Sequence, residues 1–93
     1  MTVGAEFKDP DSIVLRSIDW ARYLVAGQTI ASSQWIAPSG MTIVQDLGNS
    51  GAVTSARIGG GTVGETYAVT NRIVTATPVE TLDQSIEFVI RSL

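Results

Sequence analysis

Over residues 65–74 the chain alternates strictly. Tyr67, Val69, Asn71 and Ile73 fall on one face, and Thr66, Ala68, Thr70 and Arg72 on the other. A period of two is the signature of an extended strand with one covered face. Residues 82–91 repeat the pattern, with Ile86, Phe88 and Ile90 inward and Glu87 and Arg91 outward. Upstream, residues 13–20 are rich in β-branched side chains and place Ile18 and Trp20 inward. Residues 29–37 present Ala31, Ser33 and Trp35 on one side, Met41-Thr42-Ile43-Val44 starts a further strand, and residues 52–58 turn Ala56 and Ile58 inward. After Trp20, Ala21-Arg22-Tyr23-Leu24 suits one helical turn that brings Leu24 back under the tryptophan. Gly27 and the β-rich remainder argue against a longer helix.

Turn chemistry separates these segments. Asp9-Pro10-Asp11-Ser12 and Pro38-Ser39-Gly40 are breaks, and Leu47-Gly48-Asn49-Ser50-Gly51 reads as a tight polar turn. Gly59-Gly60-Gly61-Thr62-Val63-Gly64 reads as a corner between sheets, and residues 75–81 as a loop. Residues 1–12 are polar and broken by Pro10, so they are expected to form an N-terminal arm, with the folded domain over 13–93. Six to seven short strands at this spacing predict an all-β protein. A Tyr two residues ahead of an inward aliphatic, just past a glycine corner, is how immunoglobulin-like sandwiches open their penultimate strand. The expected fold is therefore an immunoglobulin-like antiparallel β-sandwich, with another small β-barrel of the same alternation as the alternative.

Composition narrows the function. The 93 residues suit one domain, 44% of them are hydrophobic and only 16% charged, against about 25% charged in typical soluble domains. The surface must then be built from Thr, Ser, Gly, Gln and Asn, as in extracellular and virion β-proteins or in a subunit covered by neighbours. Net charge is −3, and Lys8, Arg16, Arg22, Arg57, Arg72 and Arg91 are scattered, so nucleic acid is not an expected partner. No apolar run is long enough to span a membrane as a helix, and residues 1–8 lack the pattern of a secretory signal. The expected history is synthesis in the cytoplasm and use there, or export inside a larger particle. Without cysteine, stability must come from packing or from neighbours.

Without His or Cys, the common metal-ligand and nucleophile–base arrangements have no residues to build on. Asp9 and Asp11 flank Pro10 but lack the further carboxylates of a calcium loop, so a capped turn is expected. The glycine corner is followed by a strand and contains no Lys or Arg, which is not how a phosphate cradle is built. Trp20, Trp35 and Tyr67 are expected to fill the core rather than to stack a sugar, with Tyr23 the aromatic most readily placed outside. Glu80, Asp83 and Glu87 are read as a solvated edge of an end strand. No catalytic, cofactor-binding or metal-ligating residue is expected, and no enzyme activity.

Four segments carry a resemblance: Lys8-Asp9-Pro10-Asp11-Ser12, Ile18-Asp19-Trp20, residues 29–40, and residues 60–73. The Thr-Ile-Ala-Ser-Ser-x-Trp and Gly-Gly-Thr-x-Gly-x-x-Tyr-x-Val-Thr-Asn blocks among them are distinctive together. The chain resembles, over residues 8–91, a family of small tailed-bacteriophage virion proteins described as fibre–tail adaptor-like, with an immunoglobulin-like fold. It departs from that pattern where members carry a Thr- and Gly-rich hairpin, since residues 75–81 here contain Pro78. The resemblance implies a virion location, several copies or a homo-oligomer in the particle, and partners among other phage virion proteins of tail, neck, fibre or capsid. Contacts are expected at the arm and at two turns, with Phe7, Lys8, Asp9, Pro10, Tyr23, Asn49, Pro78 and Val79 as candidate residues. A capsid decoration protein and a host-receptor or carbohydrate-binding module are the alternatives.

Overall fold

In the computed structural model, which describes residues 2–93, seven strands lie in two facing sheets. They are β1 (Thr2–Lys8), β2 (Val14–Asp19), β3 (Thr29–Ile36), β4 (Met41–Ser50), β5 (Val53–Gly60), β6 (Thr66–Ala76) and β7 (Thr81–Ile90). One sheet has the order β1-β7-β6-β3 and the other β2-β5-β4. With strands lettered A to G, these are C-F-G and B-E-D sheets of an immunoglobulin-type sandwich, with A carried over to the free side of G. That first strand runs parallel to β7, while the other pairings are antiparallel.

The expected alternation of β6 and β7 is realised side chain by side chain. Val69, Asn71 and Ile73 of β6 and Phe88 and Ile90 of β7 are fully buried, and meet Ile18, Ala56 and Ile58 of the facing sheet. Each such Ile or Phe contributes roughly 1.5–3 kcal/mol by leaving water. Trp20 and Trp35 fill the core, Ala21–Tyr23 forms a single 3-10 turn, and Leu24 packs against the core. Tyr67 is half-buried at the corner, and its hydroxyl oxygen accepts a hydrogen bond from Thr62 N–H at 3.2 Å.

A polar pin crosses the apolar interior where many immunoglobulin domains carry a disulfide. The side-chain carbonyl of Asn71 accepts from the Trp20 indole N–H (3.0 Å) and the Thr54 hydroxyl (2.7 Å), both from the facing sheet's side. Its amide donates to Ser33 Oγ (2.9 Å) and the Gln34 carbonyl (3.2 Å) on β3. Asn71 and Thr54 are fully buried, so these bonds form away from competing water.

Four expectations are corrected. Residues 2–8 are not a loose arm: they form β1, whose described side chains reverse the usual pattern, Ala5 and Phe7 outward and Glu6 and Lys8 inward. An edge strand with inward charges reads as a polar tail, yet such charges are a device that keeps an open edge from recruiting stray strands. Glu6 here pairs with Arg16 of β2 across the sheets. In β3, a register shift between Ile30 and Ser32 turns Ala31 outward and Ile30 onto the core. Residues 47–50 belong to β4; the shift between Asp46 and Asn49 is a bulge, with Gly48 N–H bonded to Asp46 Oδ1, and the reversal comes at Gly51-Ala52. Finally, β7 is no end strand, because β1 and β6 flank it.

Candidate docking surfaces

The strand ends gather the candidate residues at the two poles of a body measuring 43 × 21 × 19 Å. At one pole lie the β2–β3 connection, the β4–β5 hairpin and the β6–β7 loop, and with them Tyr23, Asn49, Pro78 and Val79. At the other lie the β1–β2 turn, the β3–β4 turn, the glycine corner and the C-terminus, and with them Phe7, Lys8, Asp9 and Pro10. The first cluster thus joins residues far apart in sequence, while the second is the consecutive run Phe7 to Pro10.

The first pole is stiffened by one buried side chain, Gln28. Its carbonyl accepts from Val25 N–H, and its amide donates to Thr75 Oγ1, Glu80 Oε1 and the Pro78 carbonyl. Thr75 Oγ1 also donates to the Pro78 carbonyl and accepts from Glu80 N–H. Trp20 N–H donates to the Ala52 carbonyl, joining the third loop. On this frame Val79 stands 76% exposed, with Val25 also open to solvent. Tyr23 meets Trp20 edge-on at 6.1 Å, beside the Arg22 guanidinium. Asn49 spends its amide on the Gly51 carbonyl. A shallow groove beside Tyr23 is lined by Ser17, Asp19 and Gln84, whose buried Nε2 has no hydrogen-bond partner among the described residues.

At the second pole Lys8 is not a surface group. It is 1% exposed, and its ammonium donates to the Asp9 and Gly60 carbonyls, tying β1 to the corner. Burial pushes its pKa down, and the charges of Asp9 and Asp11 oppose that shift. The Asp9 carboxylate accepts from Leu93 N–H and Asp11 N–H, and Arg91 N–H donates to the Lys8 carbonyl. Phe7 is 57% exposed, with the Arg91 guanidinium 4.5 Å from its ring centroid. Met1, within the expected contact arm, lies outside the described residues.

These carboxylates give a sign for acid sensitivity. The backbone N–H groups of Leu93 and Asp11 hold Asp9 below the usual carboxylate range, and the hydrogen bonds from Arg72 do the same for Asp83. A lowered folded-state pKa adds stability above the ordinary value of 3.8 and loses it as pH falls through the folded value. Denaturant midpoints taken from about pH 6 down to about pH 2.5 should therefore fall below about pH 4. The Asp9→Asn/Asp83→Asn double variant should fall less steeply; equal slopes would contradict the assignment.

Sequence reasoning missed Gln28, Thr75 and Asn71 as organisers. The signal was weak: a polar residue at an inward position of an alternating strand, as Asn71 and Thr75 are, marks a buried hydrogen-bonding group. Gln28, in a loop, gave none. Comparison with curated proteins finds no match. The family model described as "Podophage GP4 fiber-tail adaptor protein gp77" matches residues 8–89, from the buried Lys8 to the penultimate residue of β7. With that match running from β2 to the end region of β7 and covering well over half of the chain, the chain belongs to the Podophage GP4 fiber-tail adaptor protein gp77 family, whose role is structural.

Proposed function

We propose that this chain is a non-enzymatic adaptor in a tailed-phage virion, a sandwich gripped at its two poles by different virion proteins. The observation that carries the reading is the adaptor family itself, matched over residues 8–89. The geometry supports the two-ended form: one pole offers Val79, Pro78, Asn49 and Tyr23 on a hydrogen-bonded frame, the other Phe7, Asp9 and Pro10. Loop tips anchored from beneath are suited to docking, since little ordering is left to be done on binding. The chain acts in several copies, synthesised in the host cytoplasm and carried in the particle between a tail or neck component and a fibre component.

Because β1 is part of a sheet, point substitutions test this better than deletion of the first residues. Val79→Asp and Phe7→Asp place a charge on an exposed apolar side chain at one pole each. The expected outcome is two distinct defects in purified particles measured by quantitative mass spectrometry: one variant is itself lost, the other is retained while the fibre is lost. Complete particles from both variants would end the two-pole reading.

A further inference from the structure

Both sheets carry exposed apolar side chains on their outer faces, but on the four-stranded sheet Ala5 and Phe7 stand along the β1 edge, with the Arg91 guanidinium 4.5 Å from the Phe7 ring centroid. On the four-stranded sheet the exposed outer positions include Ala68, Arg72 and Asp83, and Arg72 and Asp83 satisfy each other through paired hydrogen bonds of 2.9 and 3.0 Å. On the three-stranded sheet, Ile13 (59% exposed), Leu15 (47%) and Val44 (48%) stand outward from the β2 and β4 sides. Ile13 and Val44 flank Gly59 of β5, which is buried although it faces outward: a Cβ there would lie 3.1 Å from Val44 Cγ2 and 3.5 Å from Ile13 Cγ1. Ile13 and Val44 thus close over a side-chain-free floor, and Leu15 stands on the same face one row along. Arg57 sits in the next row, between Leu15 and Gln45.

From this arrangement we infer that the outer face of the β2-β5-β4 sheet is a third docking surface, and that its occupant is a neighbouring virion protein presenting apolar side chains around a carboxylate. The inference rests on the adaptor reading and adds to it a surface, a partner chemistry and an anchoring residue. Exposed apolar patches rimmed by polar residues mark interaction sites when they are large. Arginine is among the residues enriched at the energetic centres of interfaces.

Charge decides the occupant. Arg57 Nε donates to the neutral Gln45 amide oxygen at 3.2 Å, and no acid is recorded against it among the described residues. Two acids flank the face without answering Arg57. Asp19 pairs with Val53, four residues along β5, and accepts from Ala21 N–H. Asp46 lies opposite the inward Ala56 and accepts from Gly48 N–H. A second copy that matched aliphatic patch to aliphatic patch would bring another Arg57 to the guanidinium, and one slid along the strands to bring its Asp19 there would carry the two patches off each other. Covering the patch and answering Arg57 together therefore calls for a different protein.

The test uses assembled particles. A photo-crosslinking p-benzoyl-phenylalanine replaces Val44, and in separate strains Arg57→Glu and Arg57→Lys are introduced. The expected results are an adduct between position 44 and a peptide of another virion protein containing Asp or Glu, and a loss of Arg57→Glu from particles by at least about tenfold. Arg57→Lys should lose less, and the purified Arg57→Glu chain should unfold at the wild-type denaturant midpoint. An adduct with a second copy of the chain, no protein adduct, or wild-type copy number for Arg57→Glu would each overturn the inference alone. Absence of the wild-type chain from purified particles would overturn the adaptor reading itself.

Discussion

Asn71→Leu should destabilise the domain by about 3 kcal/mol although it conserves volume and adds apolar surface, because buried partners lose their bonds. Four hydrogen bonds end on this side chain, two on each amide atom. After substitution the Gln34 carbonyl loses its side-chain donor, and the Trp20 indole keeps the 3.2 Å bond to Thr54 as its recorded one. The Thr54 hydroxyl falls back on the Ile18 carbonyl at 3.5 Å, too long to replace the 2.7 Å bond to Asn71. Leucine offsets part of this loss by burial, but each orphaned group costs roughly 1–3 kcal/mol. For a domain of this size the melting temperature should fall by roughly 12–24 °C. A shift of less than about 4 °C would mean the pin contributes no more than a surface bond. Thr54→Val should cost less, since it removes one spoke and leaves the Asn71 hub bonded to Trp20 and β3.

The residues that were legible are those whose surroundings are set by strand period alone. Tyr67 through Ile73, and Ile86 through Ile90, occupy central strands covered on one face, so alternation reports burial directly. Ile18, Trp20, Ala56 and Ile58 were legible for the same reason. Legibility failed wherever the rule depends on something outside the segment. In β1 the inward residues are charged because they lie at an open edge where Arg16 and the Gly60 carbonyl wait, and only the fold brings those partners there. Ala31 was misplaced because a bulge inserts one residue, and a single insertion exchanges the two faces. Leu47 to Ser50 have turn composition but spend it on a bulge, leaving the reversal to Gly51-Ala52.

The candidate contacts divide along the same line. Phe7 and Val79 are exposed apolar side chains, as expected of loop and edge positions. Lys8 was chosen as a charged residue in a polar segment, and it is instead a buried clamp. That Tyr23, Asn49 and Pro78 share one pole depends on strand order, which local pattern does not encode. The outer patch at Ile13, Leu15 and Val44 escaped for a related reason. Its members come from the residue before β2, the start of β2 and the middle of β4, and Gly59 has no side chain to register in a hydropathy pattern.

Gly61→Ala should be among the most damaging single-methyl additions to this chain, costing roughly 2–5 kcal/mol in denaturant unfolding. Gly61 has φ +104°, a region L side chains rarely adopt, which alone accounts for about 1–2 kcal/mol. The added carbon would also lie 2.6 Å from both Ile90 Cγ1 and Cδ1. Ile90 cannot easily retreat: it is fully buried, its N–H donates to the Glu65 carbonyl, and its own carbonyl accepts from Gly64 N–H. Gly64→Ala is the control that separates the two causes, because Gly64 has φ +91° but nothing within 4 Å of a new Cβ. It should suffer the backbone strain alone, and Gly61→Ala/Ile90→Val should recover part of the difference. Equal losses for Gly61→Ala and Gly64→Ala would show that the corner needs glycine for its angles only. A larger loss at Gly61 would show that the corner is also a packing surface, clamped to β7 and, through Lys8 and the Gly60 carbonyl, to β1. In that case the pole carrying Phe7 and Asp9 is shaped by the same few atoms that close the core.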